Sequence, residues 1–125
     1  MSNFYGAFTL ESDETLHADG TVTRPLGDHP VGLFSFHESG YFAVQLGPRE
    51  PGDGAAYFAS FGTAEMPPGE EGVILLKMVH GANPAIAGTE HIRNFTFMDS
   101  GLLRMRPPVT PEGAQRTIMW RRTSK

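Results

Sequence analysis

The feature that most constrains this chain is the even spacing of its turn signals. Ala18-Asp19-Gly20, Glu38-Ser39-Gly40, Pro51-Gly52-Asp53-Gly54, Pro67-Pro68-Gly69, Asp99-Ser100-Gly101 and Pro111-Glu112-Gly113 recur along its length. Several stand between aromatic or β-branched runs, the pattern of successive hairpins. Gly (15) and Pro (10) together make one fifth of the 125 residues. Helical periodicity is nearly absent. Its best window, Val73 to His80, is short, β-branched towards both ends and bracketed by Gly72 and Gly81, so it reads as a strand.

Strands are predicted over Phe4–Glu11, Thr15–His17, Thr21–Arg24, Gly32–His37, Tyr41–Leu46, Ala56–Glu65, Val73–His80, Thr89–Met98, Leu102–Arg106 and Arg116–Arg122. Period-two alternation groups Phe4, Gly6, Phe8 and Leu10 on one face of the first. It groups His91, Arg93, Phe95 and Phe97 on one face of the eighth. Closing such a meander removes both exposed edges. The expected fold is therefore all-β: one antiparallel up-and-down barrel of 8–10 strands, a single domain over residues 1–125. An open two-sheet sandwich is the alternative.

Composition excludes several classes. A formal net charge of −4 gives no footprint for nucleic acid. Cysteine is absent, which removes disulfides, thiol catalysis and thiolate-bound zinc. No apolar run reaches the length of a membrane-spanning helix, and Met1–Phe8 lacks the form of a signal peptide. The expectation is a cytoplasmic protein with no membrane or nucleic-acid partner. The histidines His17, His29, His37, His80 and His91 show no H-x-H or H-E-x-x-H spacing, so no metal is expected. No phosphate loop follows Gly52–Gly54, and no G-x-S-x-G elbow occurs.

Four stretches resemble the lipocalin-like family of small bacterial and fungal single-domain barrels. Ala18-Asp19-Gly20 leads to Arg24-Pro25-Leu26-Gly27, similar to a "DG … PLG" opening. Gly32-Leu33-Phe34-Ser35-Phe36, then Ser39-Gly40-Tyr41-Phe42-Ala43-Val44-Gln45-Leu46, resembles the family's first hairpin. His80-Gly81-Ala82-Asn83-Pro84 and Gly88-Thr89-Glu90-His91-Ile92-Arg93 resemble its "H … NP … GT-x-x-R" segment. Trp120-Arg121-Arg122 is similar to a terminal "W-x-R". Gly6-Ala7-Phe8 departs from the pattern, where Gly-x-Trp is usual. The resemblance implies a barrel with an apolar cavity for a lipophilic small molecule.

The segment 80–93 is the richest in chemistry. His80 and Arg93 are the candidate catalytic residues, with His91 sharing Arg93's strand parity. Histidine moves protons near neutral pH, and a guanidinium holds a carboxylate, enolate or phenolate. The competing reading makes Arg93 a structural cation under Trp120 and His80 a loop-bonding residue. Tyr41, Gln45, Tyr57, His91, Phe95 and Trp120 are the candidate ligand-binding residues. For Gln45 and Tyr57 the alternative is a face or rim turned to water. Met66, Met78, Met98, Met105 and Met119 can line a soft pocket, and Gly6, Ala7, Ala43, Ala59 and Gly62 can leave it unfilled. A guanidinium inside a small barrel needs a counter-charge, and the sequence offers few inward carboxylates.

The functional expectation is a barrel that binds a lipophilic small molecule as a cofactor-free cyclase or isomerase of a polyketide or terpenoid pathway. The alternative is a non-catalytic carrier with the same pocket. A third option is a filled barrel whose outer face mediates homodimerisation.

Overall fold

The computed structural model describes residues 4–50 and 57–123. Nine strands form one antiparallel sheet: β1 (Gly6–Leu16), β2 (Val22–Thr23), β3 (Val31–Phe36), β4 (Tyr41–Gly47), β5 (Phe58–Glu65), β6 (Val73–Gly81), β7 (Glu90–Phe97), β8 (Leu102–Arg106) and β9 (Gln115–Arg122). β1 pairs with both β3 and β9, which closes an eight-stranded up-and-down barrel. The two-residue β2 is only a flap on the upper end of β1. The expected start of β5 at Ala56 and the turn Pro51–Gly54 lie outside the described residues.

Each of the eight barrel strands turns one face inward, as period two requires. Phe34 and Phe36 of β3, Phe42 and Leu46 of β4, Ile74, Leu76 and Met78 of β6, Leu103 and Met105 of β8, and Ile118 and Trp120 of β9 point inward and are buried. The lower end is sealed by aromatic rings. Phe4, in the turn before β1, meets Phe95 at 4.8 Å, Phe97 at 4.9 Å and Phe36 at 5.8 Å, all edge-on. Arg122 covers the Phe8 ring at 4.5 Å and donates to the Tyr5 carbonyl.

Two irregularities correct the sequence reading. Thr15–His17 is not a separate strand: β1 runs unbroken from Gly6 to Leu16 and absorbs most of it. Its register against β9 shifts between Leu10 and Ser12, so Glu11 is an extra residue that faces out and pairs with Arg121 at 3.0 Å. Before this bulge Phe8 and Leu10 face in, and after it Asp13 and Thr15 do. The second bulge is in β6. Phe61 opposes His80 and Gly62 opposes Met78, which leaves Val79 unpaired. At Gly62 the strands approach so closely that a Cβ would stand 1.9 Å from the Lys77 carbonyl oxygen, so only glycine fits.

The closing seam carries an ion pair whose carboxylate is buried and whose guanidinium is partly exposed. Arg116 of β9 donates from Nε to Asp13 Oδ1 at 2.9 Å and from Nη2 to Asp13 Oδ2, a two-bond fork. Asp13 is 1% exposed. Removing one partner of such a pair leaves the other desolvated and unmatched. Arg116→Met is therefore expected to cost about 3–5 kcal/mol in urea unfolding. Asp13→Asn, which keeps an acceptor for the guanidinium, should cost only about 1–2 kcal/mol. A loss below about 1 kcal/mol for Arg116→Met would show that closure does not depend on the pair. Gly62→Ala, forced against β6 backbone, should cost about 3 kcal/mol or more by the same measurement.

Candidate ligand-binding cavity

The barrel is sealed below and hollow above. A cavity of about 530 Å³ opens at the end where β1, β7 and β9 present Thr15, His91 and Arg116 and where Tyr57 precedes β5. That volume is in the range of small-molecule sites. Its apolar walls include Phe34, Phe42, Val44, Leu46, Leu76 and Trp120. Leu26, from the Arg24–Gly27 turn, is 4% exposed and covers part of the mouth with Pro25. Tyr57 stands at the rim, 58% exposed, with its ring against Gly47, where a Cβ would clash with it at 2.3 Å.

The polar groups of the cavity gather on one side. β7 supplies His91 and Arg93 from its inward face, and β9 and β1 supply Arg116 and Thr15, which oppose each other in register. The Arg93 guanidinium donates from Nη1 to the Ile92 carbonyl at 3.0 Å. Burial, and then the charge of Arg116, push its pKa below the ordinary arginine value. His91 Nε2 lies 2.9 Å from Thr89 Oγ1, whose hydroxyl also donates to the Ile86 carbonyl. Burial, and then the charge of Arg93, lower the His91 pKa from its ordinary 6.5. The imidazole is therefore neutral at pH 7, able to accept a proton or share a hydrogen bond.

The structure brings together four of the residues singled out from sequence: Arg93, His91, Tyr57 and Trp120 all line the cavity. Phe95 faces inward but belongs to the aromatic floor, packed on Phe4 and Phe97. His80 is not in the site. It is exposed on the outer face of β6 because the Val79 bulge reverses its parity relative to Met78. Tyr41 and Gln45 are also outside. They lie on the exposed face of β4, since Phe42, Val44 and Leu46 take the inner one. Ala43 and Ala59 likewise do not face the cavity, so they do not create its space. Of the methionines, Met78 and Met105 line it.

Sequence reasoning passed over Asp13, Thr15 and Arg116. Arg116 shares strand parity with Ile118 and Trp120, so an inward Trp120 already implied an inward Arg116. Asp13 carried no such signal, because the Glu11 bulge decides its side. Among the described residues no group of three or more His, Asp or Glu side chains is placed to hold a metal ion. Among the same residues no helix is long and apolar enough to cross a membrane.

The two causes acting on His91 are separable. In a proton-NMR titration its midpoint should fall below the ordinary histidine value. Arg93→Met should raise it part of the way back and no further, because burial is the larger cause. The sign for stability follows. The unfolded chain protonates this histidine more readily, so His91's contribution is complete above the unfolded pKa and is lost as pH falls from there through the lower folded pKa. A midpoint at or above the ordinary value would contradict this placement.

No protein-family model matches this chain, and no curated protein matches it in sequence.

Proposed function

We propose that this barrel binds a lipophilic small molecule in its interior, as a binding or carrier protein. The observation that supports this is the cavity of about 530 Å³, walled by Phe34, Phe42, Val44, Leu46, Leu76 and Trp120 and open at one end. A barrel of eight strands is wide enough either to be filled by its side chains or to hold one ligand. Here the side chains fill the lower end alone. The likeness of the Gly32–Leu46 and His80–Arg93 stretches to lipocalin-like barrels points the same way, and we propose membership of that family on those motifs.

A second reading is a cofactor-free cyclase or isomerase acting on a polyketide or terpenoid. One observation favours it: His91 and Arg93 stand together in the cavity wall. A neutral imidazole beside a fixed cation can take a proton next to a carbonyl while the cation holds the enolate oxygen. In this reading His91 replaces His80 as the proton carrier. His91→Gln would then lower turnover far more than substrate binding, whereas a carrier would show no turnover to lose.

Trp120 is the chain's one tryptophan and reports on the cavity directly. Its emission is expected to be blue-shifted relative to indole in water. The neutral fluorophore 1-aminoanthracene should bind at one site per chain and quench it. Val44→Phe, which extends a ring into the cavity from β4, should weaken that binding about tenfold or more, since overpacking forces side chains apart. Saturable binding that Val44→Phe leaves unchanged would place the fluorophore outside the barrel and overturn the proposal.

A further inference from the structure

Among the described residues the cavity wall carries an unbalanced charge. Two guanidiniums, Arg93 and Arg116, and one carboxylate, Asp13, meet around its upper part. Both Asp13 oxygens are engaged by Arg116. Arg93 has no carboxylate within ion-pair distance among the described residues, and its hydrogen bond there is to the backbone carbonyl of its own neighbour. Glu90, three residues earlier, lies on the outer face of β7, on the same side as Lys77 of β6. A guanidinium presents five N–H donors in a planar fork. Burying it with most of that capacity unused is costly unless a further acceptor completes it.

The apolar part of the cavity has a definite position relative to this charge. Along β7, Arg93 stands above Phe95 and Phe97, which belong to the floor. Along β9, Arg116 stands nearest the mouth, with Ile118 and Trp120 successively deeper. A molecule that satisfies both features has an acidic group near the mouth and an apolar body below it.

We infer that the ligand is a lipophilic monocarboxylic acid, held by its carboxylate on Arg93 with its apolar body directed down towards Trp120, Phe34 and Phe42. This rests on the reading that the cavity binds a lipophilic molecule and names the class of that molecule. A single unmatched cation matches a single negative charge. The fork geometry suits a planar carboxylate accepting two parallel bonds. Asp13 already compensates the charge of Arg116, so Arg93 is the stronger anchor and the roles of the two arginines differ. The neutral His91 imidazole beside Arg93 adds no competing charge.

The test uses matched pairs of acid and neutral probe on the full chain, by calorimetry and Trp120 fluorescence: decanoate against decan-1-ol, and 2-naphthoate against 2-naphthamide. Each acid is expected to bind about tenfold or more tightly than its neutral counterpart, as a charge-assisted fork requires. Arg93→Met should abolish that preference, the acid losing about tenfold or more relative to its neutral counterpart, with a melting temperature equal or higher. Arg93→Gln serves the same purpose where the Met variant does not fold. 10-Bromodecanoate should quench Trp120 more than 2-bromodecanoate, because the far end of the chain lies deeper. Equal affinity for acid and neutral probes would overturn the acid assignment and leave the cavity's apolar binding intact. Equal loss of both on Arg93 substitution would make Arg93 structural and overturn its role as anchor. Stronger quenching by 2-bromodecanoate would reverse the orientation and overturn it. Binding of neither acid nor neutral probe, together with no binding of 1-aminoanthracene, would overturn both this inference and the reading beneath it.

Discussion

The ion pair between Asp13 and Arg116 sits where the barrel closes, and much of the cavity's character depends on it. A meander becomes a barrel only when its first and last strands pair, here β1 with β9 over most of their length. A carboxylate in that seam is desolvated and would oppose closure if left alone. The fork from Arg116 supplies both of its oxygens with donors, so the same contact that neutralises the charge also fixes the β1–β9 register. The Glu11 bulge makes this possible. It shifts β1 by one residue, so a strand that begins with Phe8 and Leu10 inside continues with Asp13 and Thr15 inside. One extra residue therefore converts an apolar strand into one with an apolar lower half and a polar upper half. Its own side chain joins the outer surface through Arg121.

That division explains which parts were legible in the sequence. Regular strands were readable because their inner faces are marked by large apolar residues two apart: Phe34 and Phe36, Phe42 and Leu46, Ile74, Leu76 and Met78. From β7 the same rule placed His91 and Arg93 inside together once Arg93 was taken as inward. What escaped were the bulges. Glu11-Ser12-Asp13-Glu14 is a polar run with no apolar alternation, so it read as a break between two strands. It is instead the middle of one eleven-residue strand. In β6, Met78 and His80 have equal parity on paper, but Val79 is an unpaired residue and His80 emerges outside. A bulge has no periodic signature. It is stabilised by the partner strand, and Gly62, which permits the close approach of β5 to β6, was readable only as a small residue. Tyr41 and Gln45 are a different kind of miss. Their outward orientation was implied by Phe42, Val44 and Leu46 on the opposite parity, without any bulge.

The lower end of the barrel shows why a cavity persists above it. Phe4, Phe36, Phe95 and Phe97 form an edge-to-face cluster that fills the narrow end, so a cavity-lining substitution higher up need not disturb the seal. Above this plug the interior holds the cavity, with Phe34, Phe42 and Trp120 in its walls. Ser60 is buried there as well, its hydroxyl donating to the Met78 sulfur at 3.2 Å, and neither Ser60 nor Asp13 lines the cavity.

The two cavity arginines illustrate how one residue type takes opposite parts a few residues from each other in space. Arg116 is matched within the protein, so its charge serves closure. Arg93 is matched by no carboxylate among the described residues, so its charge opposes folding to the extent that it is buried. Arg116 also acts on Arg93: like charges raise the cost of each other, while Asp13 is paired with Arg116. Removing Asp13 would therefore do more than loosen the seam. It would leave two mutually repelling cations on one wall, and Arg116 would become available as a second anchor for an anion. The seam pair thus sets how many cations the cavity presents as well as how firmly the barrel shuts. A cavity wall with one uncompensated arginine among the described residues, rather than two, follows from a carboxylate that sequence periodicity alone would have left outside.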